Sequence, residues 1–275
     1  GNAITLSGSG ELDNGMTVTL SYELDEGANA AGTATSLFDN HSVTVSSDAM
    51  GTLVFAGHGG ATAGSSVNTT AAGDLYDLFD GAQGNLGVTG MAINESGAGN
   101  NSFFYTLPTM MEGVKLFASY SPQIASTAQS AGSTGYGITY TGVEGLTVSY
   151  ATNDINGGSA AADGDTDAIA LAYVMGSITA KYSNNDYDVG TAAQDQDTEA
   201  YSLSYTVSDS LSVTYGIETI SEGTLIDADY SKISTSYTTG GVTISASMAE
   251  GENIAGTTAA NEDLEYWSLG ASFAF

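Results

Sequence analysis

Residues 136–150 read YGITYTGVEGLTVSY. Tyr136, Ile138 and Tyr140 alternate with Gly137, Thr139 and Thr141, and after a short turn at Gly142–Gly145 Leu146, Val148 and Tyr150 alternate with Thr147 and Ser149. Successive strand side chains point to opposite faces, so this stretch predicts an antiparallel hairpin with one apolar and one polar face. A loop rich in Asn, Gly, Ala and Asp follows over about 153–166.

The same unit recurs toward the C-terminus. Ile169, Leu171 and Tyr173 precede a turn near Gly176, with Ile178, Ala180 and Tyr182 beyond it. Tyr201, Leu203, Tyr205 and Val207 lead to Leu211, Val213, Tyr215 and Ile217; Ile233, Thr235 and Tyr237 lead to Val242, Ile244, Ala246 and Met248. The last strand carries Trp267, Leu269, Ala271, Phe273 and Phe275. Toward the N-terminus the rule holds, with Asp13-Asn14-Gly15 as the hairpin turn before Val18, Leu20, Tyr22 and Leu24. About fifteen strands are expected, each of nine or ten residues, with tight turns and long loops alternating strictly. That length and that asymmetry suit tilted strands crossing a bilayer. The acidic residues are expected in loops, turns, strand ends or on the polar faces, and tyrosines form two rows, as at two lipid–water boundaries. Barrels of this kind have an even strand number, so the expectation is all-β: one transmembrane antiparallel barrel domain over 1–275, of sixteen strands with the first missing from this chain.

Composition narrows the function. The chain has 275 residues, a formal net charge of -29, three lysines, no arginine and no cysteine. Nucleic-acid binding is excluded by the lack of a basic footprint, and disulfide scaffolds and thiolate metal sites by the lack of Cys. No apolar run is long enough for a membrane-spanning helix, yet a mean hydropathy near zero also describes a barrel wall whose faces alternate. Catalysis has little to stand on: His41 and His58 are the only imidazoles, and neither a nucleophile-elbow nor a zincin motif occurs.

One stretch breaks the alternation. From His58 to Asn100 there is no period-two pattern for roughly forty residues, far beyond an ordinary loop. Its middle, Asp74-Leu-Tyr-Asp-Leu-Phe-Asp80, offers apolar residues to anchor it against a wall. We read residues of about 59–99 as a loop folded inside the barrel. Asp74, Asp77, Asp80 and Glu95 are the candidate constriction residues, with Asp74 and Asp77 on one face of a short helical turn. By parity Lys115, Lys181 and Lys232 point inward, as does His58, whose expected role is a hydrogen-bonded strut at the loop's root. Glu11 and Glu23 share that parity, so the pore is expected to prefer cations.

The residues resemble the Gram-negative general porins, in an alphaproteobacterial flavour. SGSGELDNGMTVTLSYELDE at 7–26, GTLVFAGHG at 51–59 and NSFFYTLPTMMEGVKLFASYSP at 101–122 carry the resemblance, with Trp267, Phe273 and Phe275 resembling the family's C-terminal assembly signal. With one strand missing, the long loop becomes the third, where that family carries its constriction loop. The reading is an outer-membrane passive diffusion pore for small hydrophilic solutes and ions, expected to be a homotrimer in contact with lipid and lipopolysaccharide, with no catalytic activity and no cofactor. The chain also departs from the family, because no arginine cluster can face the acidic loop.

Three expectations complete the reading. The trimer is expected to join through the N-terminal strands, where Gly8, Gly10 and Gly57 flatten a girdle-poor sector. Calcium or magnesium is a candidate at the acidic long-loop side, where Asp163, Asp165, Asp167, Asp186, Asp188, Asp195 and Asp197 crowd together. A substrate-specific outer-membrane channel and a secreted calcium-binding structural or adhesive protein stay open as alternatives.

Overall fold

The computed structural model describes residues 3–24, 38–80, 101–122, 132–156, 163–190, 195–257 and 263–273. They form one antiparallel sheet of fifteen strands in unbroken sequence order. The strands are β1 (Ile4–Glu11), β2 (Thr17–Leu24), β3 (Phe38–Ser47), β4 (Gly51–His58), β5 (Ser102–Thr106), β6 (Val114–Ser121), β7 (Gly132–Val143), β8 (Leu146–Asn156), β9 (Gly164–Met175), β10 (Ile178–Val189), β11 (Gln196–Ser208), β12 (Leu211–Glu222), β13 (Ala228–Thr239), β14 (Val242–Glu252) and β15 (Leu264–Phe273). One helical turn, α1 (Asp77–Asp80), lies in the β4–β5 connection. No helix among the described residues is long and apolar enough to cross a membrane, which leaves crossing by strands open.

Tight turns and long connections alternate along the sheet as expected. The β7–β8 turn shows why the tight ones stay tight. Gly145 has φ of +76°, and a Cβ there would meet the Val174 carbonyl of the neighbouring strand. Strand length departs from expectation. β7 to β14 run to between 11 and 13 residues, not nine or ten. The ladder continues into polar residues at the long-loop ends, such as Thr152 to Asn156 in β8, where hydrophobic periodicity no longer marks a strand.

By packing, the chain divides into two compact units. The first comprises residues 1–66, 95–139 and 151–165; the second comprises 67–94, 140–150 and 166–275. In the first, one sheet face exposes Ile4, Leu6, Leu20, Leu53, Phe55 and Phe103. In the second, the equivalent face exposes Leu203, Tyr205, Tyr215, Ile233, Leu269 and Trp267, the last 74% exposed. A soluble sheet buries such a face. Here it is the opposite, Ser- and Thr-rich face of each unit that carries the buried residues, and the β4–β5 loop lies on it.

Carboxylates do take the apolar-face parity near the long loops. Glu199 accepts the hydroxyls of Tyr201 (2.7 Å) and Tyr182 (3.2 Å), and Asp229 accepts Thr219 Oγ1 at 2.7 Å. Glu250 pairs across the ladder with Glu265. Tyrosine hydroxyls and carboxylates thus share the band where the apolar surface ends, which suits an interfacial position.

Candidate functional site

The long loop is seated by hydrogen bonds as much as by apolar contact. In the first unit, Thr62 and Ser65 cap each other: Thr62 N–H donates to Ser65 Oγ (2.8 Å) and Ser65 N–H to Thr62 Oγ1 (3.1 Å). The wall holds this turn. Ala63 N–H donates to Ser119 Oγ of β6 at 2.8 Å, and Asn153 Nδ2 of β8 donates to Thr62 Oγ1 at 3.3 Å. Thr62, Ala63, Ser119 and Asn153 are all buried.

In the second unit the seat is centred on Glu218 of β12, which is 1% exposed. Thr70 Oγ1 donates to Glu218 Oε2 at 2.5 Å, Leu75 N–H to the same oxygen at 3.1 Å, and Tyr76 N–H to Oε1 at 3.1 Å. Thr70 Oγ1 in turn accepts the N–H groups of Gly73 (3.1 Å) and Asp74 (2.7 Å). On β10, Ser183 Oγ accepts Ala71 N–H at 2.7 Å and Asn185 Nδ2 donates to Asn68 O at 2.7 Å. A carboxylate is acceptor-only, so one buried Glu satisfies several orphan donors of an irregular backbone at once.

Ladder register shows how the wall makes room. One row across β10 to β14 reads Ser183, Ala200, Glu218, Tyr230 and Gly251. The next row reads Lys181, Ser202, Gly216, Lys232 and Ala249. Small residues stand among the anchors in both rows. At Gly216 an added Cβ would stand 3.2 Å from Ala72 Cβ, and at Gly251 it would stand 3.3 Å from the Phe79 ring. Leu75 and Phe79, one helical turn apart and each 1% exposed, pack with Ile220, Ala228, Tyr230, Ala249 and Ile254. The Phe79 and Tyr230 rings are 5.5 Å apart. The expected apolar anchor is therefore present.

The predicted site residues fall into three groups. Asp74 does not share a helical face with Asp77. It stands before α1 with φ of +52°, and its Oδ1 accepts Thr70 N–H at 2.9 Å, closing the turn that Glu218 holds. Asp77 opens α1 and Asp80 ends it. Glu95, the loop beyond Asp80, Phe275 and the side chain of Asp80 lie outside the described residues.

Each lysine sits on the face the loop occupies. Lys115 shares its parity with Ser119, Lys181 with Ser183 and Lys232 with Tyr230. Among the described residues none of the three pairs with a carboxylate, whereas His58 Nδ1 lies 3.0 Å from Asp39 Oδ1. His58 is a strut of a different kind from the one expected, because its described partners are on β3. Nδ1 also lies 3.3 Å from Asn40 Oδ1, and Asn40 Nδ2 donates to Glu23 Oε2 at 3.0 Å. No group of three His, Cys, Asp or Glu among the described residues is arranged to hold a metal ion.

Glu218 is the residue that the sequence reading missed. Its signal was a lone acid at polar-face parity in the middle of Gly216-Ile-Glu-Thr-Ile220.

Residues 1–230 match the family model described as Gram-negative porin. The chain belongs to the Gram-negative porin family. Solved structures agree on the fold. A porin refined at 1.8 Å is 20% identical over 99% of this chain and 92% of its own, with a TM-score of 0.67. A triple mutant of the Rhodopseudomonas blastica porin is 20% identical over 99% and 89%, with a TM-score of 0.64. The outer-membrane expressed OmpT of Vibrio cholerae is 12% identical over 98% and 88%, with a TM-score of 0.60. No curated protein matches by sequence. The sheet is accordingly the wall of a transmembrane β-barrel, and this porin is an outer-membrane channel of a Gram-negative bacterium rather than an enzyme.

Proposed function

We propose that this porin is a passive diffusion channel for small hydrophilic solutes and ions, with a moderate preference for cations. The observation that carries the reading is the seat of the β4–β5 loop. Glu218 draws Thr70, Leu75 and Tyr76 onto the polar face of the wall, so the loop narrows the lumen instead of standing in solvent. Asp74 and Asp77 accompany it there, Asp80 and Glu95 follow in sequence, and Lys115, Lys181, Lys232 and His58 are the basic groups of lumen parity. Fixed charges at a narrow point set the sign of selectivity. With 32 acidic residues against three lysines, the wider field of the protein also favours cations at the mouths. Reconstitution in a planar bilayer across a KCl gradient tests this. A reversal potential of the sign for K⁺ excess supports it, and anion preference overturns it.

The assembly is a homotrimer in this reading, joined through the outer face of β1 and β2. Support comes from Ile4 and Leu6, 62% and 51% exposed, beside Gly8 and Gly10, around which a Cβ would meet nothing within 4 Å. Such a flat apolar patch suits contact between copies closed by cyclic symmetry. Calcium or magnesium at the acidic long-loop side belongs to the same reading, since like charges such as Asp186 and Asp197, paired across β10 and β11, repel unless screened.

A further inference from the structure

Below the loop's seat, toward the tight turns, the same polar face of β10 to β15 carries a second pattern. Read across the ladder, Thr179, Ser204, Thr214, Ser234, Ser247 and Ser268 form one continuous row, a hydroxyl on every strand. The next row contributes Thr206, Ser212, Ser236 and Ser245. All six members of the first row are half-buried, and a hollow opens over it with Lys232 at its margin. No carboxylate occupies either row. Charge stops at Lys181 and Lys232, one row nearer the loop.

A polar lumen needs only to be wettable, and charged side chains serve that purpose. Ten hydroxyls in register without a charge among them are a narrower choice. Ser204 and Thr214 share a hydrogen bond at 2.8 Å, as do Ser247 and Ser268 at 2.8 Å. Each hydroxyl has one donor and two acceptor sites, so a pair that shares one hydrogen still offers the other O–H and several lone pairs to a passing solute. Adjacent strands set these groups about 4.8 Å apart, and same-face positions along a strand about 6.7 Å apart. Such a lattice can exchange hydrogen bonds stepwise with a molecule that also carries many hydroxyls. For an ion it offers neutral dipoles and no binding charge.

We propose that this hydroxyl lattice is a low-affinity guide for neutral polyhydroxylated solutes, so that sugars and polyols pass in preference to equally sized neutral molecules with few hydroxyls. The proposal rests on the channel reading above and names the solute class within it. A net hydrogen bond in a wet lumen is weak, so the expected preference is small, about threefold.

The test uses the full chain in liposomes, with swelling rates for sorbitol and tetraethylene glycol, two neutral solutes of similar mass. Sorbitol entering about threefold faster, and that ratio falling to about one in a Thr214→Val, Ser234→Ala, Ser247→Ala variant with KCl conductance unchanged, supports the lattice. Equal rates in the unmodified protein, or a ratio that survives the variant while KCl conductance is intact, overturn it and leave the channel standing. Absence of KCl conductance overturns the channel and the lattice together. Should the triple variant not fold, sorbitol-dependent current noise in the unmodified protein decides, its absence at concentrations that still permit conductance counting against the lattice.

Discussion

The Thr70 hydroxyl and the Glu218 carboxylate meet at 2.5 Å across 148 residues of chain. Around that contact the loop's backbone is organised: Gly73 and Asp74 donate to Thr70, and Leu75 and Tyr76 donate to Glu218. Glu218→Ala leaves the Thr70 hydroxyl and the Leu75 and Tyr76 N–H groups without that acceptor inside the wall, at about 1–3 kcal/mol for each buried group that water cannot reach. The loop should detach from its seat while the barrel persists. Limited proteolysis should then cut between Ser66 and Asp80, and single-channel records should gain substates. A loop still resistant to protease in this variant would mean that Glu218 is not its anchor. Glu218→Gln should be intermediate, since its amide nitrogen turns one acceptor into a donor facing donors.

Apolar anchoring can be separated from that polar seat. Phe79→Ala removes a ring buried against Tyr230, Gly251 and Ile254 and should cost about 3–5 kcal/mol locally. Phe79→Leu should cost less because most of the volume is kept. Gly251→Val should resemble Phe79→Ala, because its first added carbon would stand 2.9 Å from Ile254 Cγ2. Hydrogen exchange of the Leu75 and Tyr76 amides reads this directly, and unchanged protection in Phe79→Ala would show that the hydrogen bonds alone hold the loop.

Most of the fold was legible because its determinants are local. The hairpin at Tyr136–Tyr150 states its faces and its turn within fifteen residues, and the same grammar recurs through β15. What was not legible depends on distant partners. Nothing near Thr70 announces Glu218, and nothing near Gly216 announces Ala72. The spacing of Asp74 and Asp77 suggested a shared helical face. Bonds between the Thr70 and Asp74 side chains and the backbone won instead, as short polar side chains often do against a single helical turn. Strand ends were underestimated because the ladder continues at Asp154–Asn156 of β8 and at Gly251 and Glu252 of β14, through residues that carry no period-two signal.

The trimer can be tested on the surface that motivates it. Gly8→Trp and Gly10→Trp each place a large ring where a Cβ has empty space in the isolated chain, so folding should be unaffected. If β1 and β2 form the contact between copies, either ring wedges it apart, and native mass in mild detergent should fall from three chains to one. A trimer unaffected by both rings would put the interface elsewhere.

The structure separates the acidic residues through which ion selectivity can be probed. Asp74 is tied to Thr70 N–H, so Asp74→Asn alters both field and loop geometry. Asp77 has no such described tie and is the cleaner probe. In Asp77→Asn the cation preference should fall with conductance substates absent, while Lys181→Gln and Lys232→Gln should each raise it. The two lysines lie in one ladder row three strands apart, about 14 Å, and flank Gly216, the point where Ala72 touches the wall. Their charges therefore face solutes beside the loop from both sides, unpaired with any described carboxylate. At physiological salt the Debye length is about 8 Å, so each charge acts on ions passing close to it and little on those beyond. All three shifts should shrink as KCl rises from tens of millimolar toward molar. Reversal potentials across a fixed gradient at several mean salt concentrations check this. If removing a lysine leaves the potential unchanged even at low salt, the ion path runs on the far side of the lumen from β10 to β13.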